Sequence, residues 1–152
     1  MKDRDKLIIR QAEAADVLAI EEVEKACFSV PWSYDSLYHD IVENKLAFYI
    51  VAEIRGRICG YVGIWKILEE GHITNVAVSP EYRRMRIASA MLSVLLEVTA
   101  EQGIQRYTLE VRKGNQPAMS LYEGFGFAEA GVRKGYYEDN GEDALIMWKE
   151  KK

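Results

Sequence analysis

The stretch NVAVSPEYRRMRIASAML, from Asn75 to Leu92, sets four signals side by side. The apolar, β-branched run Val76, Ala77, Val78 reads as the end of a strand. Pro80, Glu81 and Tyr82 read as a turn. Arg83, Arg84 and Arg86 place three positive charges in four positions. From Ile87 onward, Met91, Val94, Leu95 and Val98 fall on one helical face that ends near Gly103. A chain of formal net charge −4 thus concentrates positive charge where a strand hands over to a helix. A helix N-terminus exposes unpaired N–H groups and carries partial positive charge. Arginines there add full charges and forked donors. Arg83 to Ser89 therefore reads as a cradle for an anion such as phosphate. On charge alone, a solvated basic turn is an equal alternative.

Working outward, the chain predicts βααβββαβαββ. Leu7 to Ala12 is a first strand. Val17, Ile20, Val23 and Cys27 give one face of a helix from Ala14 to Cys27. Ser33 caps a second helix running to about Asn44, with Asp35 in its first turn. Leu46 to Ile54 and Ile58 to Leu68 are strands joined by a hairpin at Arg55–Arg57, and Gly71 to Ser79 is a third. After the long helix, Gln105 to Arg112 is a strand that should run parallel to the third. A short helix follows from about Pro117 to Gly124, with proline tolerated in the first turn. Ala130 to Glu138 and Asp143 to Glu150 close the chain as strands around the turn at Asp139–Asp143. The fold class expected is α/β (α+β), a mixed central sheet of about seven strands with about four helices on both faces.

The chain has 152 residues, which suits one domain, 1–152. Half its residues are apolar and 29% are charged, an ordinary globular balance. No apolar run approaches the roughly 20 residues of a membrane span, and the start shows no secretory signal. A cytoplasmic protein without membrane contact is expected. Cys27 and Cys59 form no CxxC motif and read as free, buried thiols. His39 and His72 lack metal-ligand spacing, so no metal is expected. The acidic balance argues against direct nucleic-acid binding through "RRMR".

The arginine-rich segment resembles the acetyl-CoA-binding motif of the GNAT N-acetyltransferase superfamily, Q/R-x-x-G-x-G/A, with Arg83, Arg84, Met85, Arg86, Ile87 and Ala88 in its places. The element order fits that family's fold along nearly the whole chain. "FSVPWS", "ITNVAVSPEYR", "LEVRKGNQPAMSLYEGFGF" and "RKGYYEDNGEDALIMW" are similar to its RimI-type ribosomal-protein-alanine branch. The resemblance implies an enzyme that moves acetyl from acetyl-CoA to the N-terminal α-amine of a ribosomal protein. It implies that the loop amides from Arg83 to Ser89 hold the cofactor pyrophosphate. It implies that Val76, Ala77 and Val78 pair through their backbone with the pantetheine arm. Arg86 departs from the pattern, standing where the family usually has its first glycine. An arginine there must point its side chain away or replace an amide contact with a guanidinium contact.

Direct amide formation needs a neutral amine, a donor for the tetrahedral oxyanion and a proton for the departing thiolate. In "YTLEVR", Tyr107, Leu109 and Val111 alternate with Thr108, Glu110 and Arg112. On pattern alone Glu110 is a residue of a polar strand face, with Arg112 as its candidate partner. The resemblance makes it the proton acceptor. Tyr122 shares an apolar stripe with Ala118, Leu121 and Phe125 and reads as core; the resemblance makes it the proton donor. Asn115 caps the short helix or, by resemblance, contacts the cofactor. Trp32, Tyr136 and Tyr137 are candidates for a peptide groove, because amphipathic rings suit a peptide backbone; ordinary rim aromatics are an equal reading. The acidic run Glu138–Asp143 is either a solvated loop or a contact for a basic tail. An N-terminal amine with a pKa of about 7.7–8.0 is partly neutral at pH 7, whereas lysine at about 10.4 is almost wholly charged. A lysine side chain or a small amine remains the alternative acceptor, and a non-catalytic CoA-binding protein a third reading. The unpartnered cysteines predict direct transfer in a ternary complex. A monomer or weak dimer is expected.

Overall fold

The computed structural model describes residues 6–150. The elements run β1 (Ile8–Gln11), α1 (Val17–Cys27), α2 (Tyr34–Tyr38), β2 (Ala47–Ile54), β3 (Arg57–Ile67), β4 (Glu70–Val78), α3 (Ile87–Glu101), β5 (Arg106–Arg112), α4 (Gln116–Gly124), β6 (Ala128–Arg133) and β7 (Ala144–Glu150). One seven-stranded sheet has the order β1-β2-β3-β4-β5-β7-β6. As expected, β4 and β5 are parallel, and the other neighbours are antiparallel.

The parallel pair is short. Glu70, Gly71 and His72 face Arg106, Tyr107 and Thr108. Beyond these positions β4 continues to Val78 and β5 to Arg112 without pairing. A bulge at Thr74 accompanies the break, because Ile73 opposes Ile64 while Asn75 opposes Gly63. One extra residue flips the side-chain alternation. Ile73 therefore packs in the core on one side of the sheet and Ala77 in the core on the other.

Two apolar layers clamp the sheet. Ile64, Leu92, Leu95, Tyr107, Leu109 and Met147 fill the side covered by α3 and α4. Val17, Ile20, Leu37, Tyr49 and Tyr61 fill the side covered by α1 and α2. Gly63 permits the second layer to close, since a Cβ there would lie 2.4 Å from the Tyr49 ring. The β2–β3 hairpin turns on Arg55 and Gly56, with φ of 56° and 75°. Paired positive φ values match the twist of the flanking strands.

Four local expectations change. α2 stops at Tyr38 and continues as a π-helical turn, His39–Glu43, which turns Asp40 inward to 4% exposure. The buried face of α3 is Ile87, Met91, Leu92, Leu95 and Thr99. Val94 and Val98 stand half-exposed, and Thr99 satisfies its hydroxyl on Leu95 O at 2.7 Å and Tyr107 Oη at 2.8 Å. β6 covers Ala128–Arg133 rather than running on to Glu138, so Tyr136 and Tyr137 belong to the β6–β7 loop. That loop turns at Gly135 and Gly141, whose φ values are 60° and 73°. Finally, Cys59 is buried while Cys27 is only half-buried.

Asp16 ties β1 to α1. Its carboxylate accepts both terminal nitrogens of Arg10, at 2.8 and 2.9 Å, and the Glu13 backbone N–H at 2.7 Å. The Arg10 hydrogen bonds hold the Asp16 carboxyl below its ordinary range, against the opposing effect of burial. A depressed carboxylate stabilises the fold above its unfolded pKa and loses that contribution as pH falls through its folded pKa. Asp16→Asn should therefore lower unfolding free energy by about 1–2 kcal/mol at pH 7. Denaturant melts should show that deficit shrinking below about pH 4, where the wild-type carboxylate also takes up a proton.

Candidate active site

The arginine-rich loop has the features of an anion cradle. Arg83 N–H bonds Pro80 O at 3.3 Å and Ala90 N–H bonds Arg86 O at 3.0 Å. Between them, no backbone N–H from Arg84 to Ser89 finds an acceptor among the described residues. Such a run of free donors at a helix N-terminus is what a phosphate requires. Arg84 and Arg86 both hold positive φ, 66° and 60°. Arg86 thus keeps the left-handed backbone that glycine would adopt without strain, at a cost of roughly 1–2 kcal/mol. Its side chain is exposed and makes no hydrogen bond or ion pair among the described residues. Arg83 is committed elsewhere: its Nε donates to Val78 O at 3.2 Å and its Nη2 points at Cys27 Sγ, 3.6 Å away. Met85 lies half-exposed at the loop tip, while Ile87 anchors α3 in the core. Ala88 and Ser89 complete the helix's first turn.

Val76, Ala77 and Val78 pair with β3 through one backbone edge. Their other edge has no partner strand, because β5 has already parted from β4. An open strand edge suits an extended, amide-bearing chain, and the cradle follows directly at its end. These two features fit the pantetheine arm and pyrophosphate of acetyl-CoA.

On the α1/α2 side of the sheet a row of polar residues crosses the parting strands. His72 on β4 approaches Glu110 on β5, Nε2 to Oε1 at 2.9 Å. Arg133 on β6 reaches across β7 to Glu110 Oε2 at 3.1 Å. The His72 hydrogen bond, assisted by the Arg133 guanidinium, holds the Glu110 carboxyl below its ordinary range although burial opposes this. A carboxylate only accepts, so His72 Nε2 carries the proton, and in the neutral imidazole Nδ1 is the acceptor. Arg112 is not the partner of Glu110. It binds Asp139 at 2.8 Å and Glu142 at 3.3 Å and lies 4.0 Å over the Tyr137 ring. Arg112 thereby engages two of the four carboxylates of the acidic loop. Sequence reading missed His72. Its position in the alternation Gly71, His72, Ile73 puts it on the face of Glu110, but only the parallel register makes them neighbours.

Tyr122 on α4 is 8% exposed and packs edge-on against Phe127, with ring centroids 6.0 Å apart. Its hydroxyl makes no hydrogen bond among the described residues. Burial first, then the neighbouring Tyr137, raises its pKa. It is therefore core by its ring and a free donor by its hydroxyl. Asn115 caps α4, its Oδ1 accepting Ala118 N–H at 3.2 Å. Trp32 is fixed by its backbone N–H, which bonds the buried Glu24 at 2.9 Å. Tyr136 and Tyr137 meet edge to face at 5.1 Å, and burial pushes the Tyr137 phenol up to about 12 against the pull of Arg112. Ser29 Oγ donates to Asp139 at 2.5 Å, so the loop carrying Trp32 and the loop carrying the tyrosines are joined. Among the described residues no group of His, Cys, Asp and Glu could hold a metal ion, and no helix is long and apolar enough to cross a membrane.

The pattern of the acetyltransferase (GNAT) family matches residues 17–127. A Bacillus subtilis (strain 168) protein, provisionally named a ribosomal protein bS18-alanine N-acetyltransferase, is 42% identical over 145 residues, covering 95% of this chain and 96% of that one. The ribosomal protein bS18-alanine N-acetyltransferase of Escherichia coli (strain K12) is 33% identical, covering 91% of this chain and 94% of its own. The crystal structure of the ribosomal-protein-S18-alanine N-acetyltransferase from Escherichia coli superposes with a TM-score of 0.90 at 29% identity, over 96% of this chain and 94% of that one. The chain belongs to the GNAT acetyltransferase family and is an acetyl-CoA-dependent N-acetyltransferase.

Arg86→Gly should leave the dissociation constant for acetyl-CoA within about tenfold, because the free loop amides would still converge on an anion. It should also raise folding stability slightly, by relief of left-handed strain. Titration calorimetry and thermal melts measure both. A hundredfold change in affinity would assign the guanidinium a direct role.

Proposed function

We propose that the protein acetylates the N-terminal alanine of a ribosomal protein, the bS18 protein of its relatives' names, by direct transfer in a ternary complex. What supports this reading above all is the end-to-end likeness to the bS18-alanine N-acetyltransferases. The cradle, the open β4 edge and the His72–Glu110 pair supply the parts the reaction needs. The acceptor peptide lies against Trp32, Tyr136 and Tyr137. The amides from Arg83 to Ser89, with Asn115 at the head of α4, hold the nucleotide end, and Val76, Ala77 and Val78 hold the arm. The work is cytoplasmic, and a monomer or weak dimer performs it.

Acetyl-CoA supplies a thioester whose carbonyl carbon accepts the amine and whose thiolate leaves. The His72–Glu110 pair takes the amine proton as the C–N bond forms. Glu110 alone is a weak acceptor, since its pKa is held down while an α-ammonium has a pKa of about 7.7–8.0. Its charge instead orients the imidazole, and His72 Nδ1 presents the lone pair, the division of labour of a carboxylate–imidazole pair. Tyr122 donates a hydrogen bond to the growing thiolate. A thiol has an ordinary pKa near 8.5, below that of a buried phenol. Tyr122 therefore stabilises the thiolate more than it surrenders a proton outright. Base and donor come from opposite sides of the sheet and meet through the gap between β4 and β5.

CoA release with two peptides tests the acceptor. One begins with a free alanine and lacks lysine; the other has a blocked N-terminus and one internal lysine. Turnover with the first alone is expected, and turnover with the second alone would move the protein to lysine or small-amine chemistry. Glu110→Gln should lower the rate most below the amine pKa; a flat loss across pH would remove the pair from proton transfer. The double variant Cys27→Ser, Cys59→Ser should keep its activity. Its complete loss in a folded protein would point to an acetyl-cysteine intermediate.

A further inference from the structure

We propose that Trp65 and Asp40 are positioning residues for this reaction, fixing the imidazole of His72 from the π-helical turn that follows α2. The inference rests on the reading of His72–Glu110 as the proton acceptor. Trp65 on β3 and His72 on β4 are direct cross-strand partners. Their rings stand perpendicular, with centroids 6.1 Å apart. The indole cannot drift, because its Nε1–H donates to both Asp40 oxygens, at 2.9 and 3.1 Å. Asp40 is itself held by the Tyr49 hydroxyl and by Asn44 Nδ2 at 2.8 Å.

Three features argue that this is more than core packing. A carboxylate is costly to bury, and Asp40 gathers three donors, from Trp65, Tyr49 and Asn44. It returns a stronger, more directional hydrogen bond. Asp40 points inward in a π-helical turn, a helix irregularity that is rare and concentrates at functional sites. The anchored indole also ends on the one histidine that touches Glu110. The imidazole is then held from two sides: Glu110 bonds Nε2, the Trp65 ring limits its rotation, and Nδ1 is kept as the acceptor. A base held within narrow limits matters, since misplacement of about 1 Å can cost on the order of a hundredfold in rate.

A double-mutant cycle tests whether Trp65 acts through His72. Trp65→Phe should lower kcat about tenfold with the KM for acetyl-CoA unchanged. In a His72→Gln background the same substitution should cost less than about twofold. Asp40→Asn, which keeps the shape of the side chain, should follow the same pattern more weakly. Asp16→Asn, which weakens the junction of β1 and α1, serves as control, expected to lower Tm and leave kcat in place. A second readout needs no turnover. His39 and His72 are the only histidines, so imidazole nitrogen NMR shifts resolve them readily. His72 should show a single Nε2-protonated tautomer in the wild type and a mixture in Trp65→Phe, with His39 unchanged as reference. Equal losses with and without His72, or an unaltered His72 tautomer in folded Trp65→Phe, would overturn the proposal. If His72→Gln alone left the rate intact, the pair's role as proton acceptor would fall first, and this inference with it.

Discussion

The early end of one parallel strand pair governs the rest of the molecule. β4 and β5 hold together for three residues each and then separate. Every buried backbone group that loses a partner carries a cost, so a sheet opened in its middle has to be stabilised elsewhere. Here the neighbouring ladders continue on both sides, β3 with β4 to Val78 and β5 with β7 to Arg112. Apolar layers above and below clamp the two halves. The parting leaves one unpaired edge of β4 beside the arginine loop.

Much of this architecture was legible in the residues. Alternation in "YTLEVR" assigns Glu110 to one face and Leu109 to the other, and the structure agrees. The 3.6-residue rhythm finds α1 and α3, and Ser33 marks the start of α2 as its cap. What escaped were features in which a polar group sits where the rhythm asks for an apolar one. Glu24 lies on the buried side of α1 at 2% exposure, accepting the Tyr61 hydroxyl and the Trp32 N–H. Asp40 is buried by a widened helical turn that no periodicity announces. The sequence supplies the carboxylates; only the fold supplies their partners.

The candidate site divides along the same line. Backbone features, such as the run of free N–H groups from Arg84 to Ser89, are visible because turn and helix signals locate them. Residues that act as pairs depend on register. His72 and Glu110 lie 38 positions apart, and Arg112 spends its charge on the β6–β7 loop instead of on its neighbour along the strand. A one-residue slip of β4 against β5 would have kept both residues in the sequence and dissolved the pair.

The left-handed arginine in the loop before α3 bears on how such proteins are recognised at all. A glycine in a motif is commonly taken as a sign that nothing else fits. In this loop the backbone reaches the same shape with a large side chain turned out to solvent, so the position constrains a dihedral angle and not an identity. A search pattern that insists on glycine there would discard a chain whose cradle is otherwise intact. One that scores conformation, allowing arginine a modest penalty, would retain it.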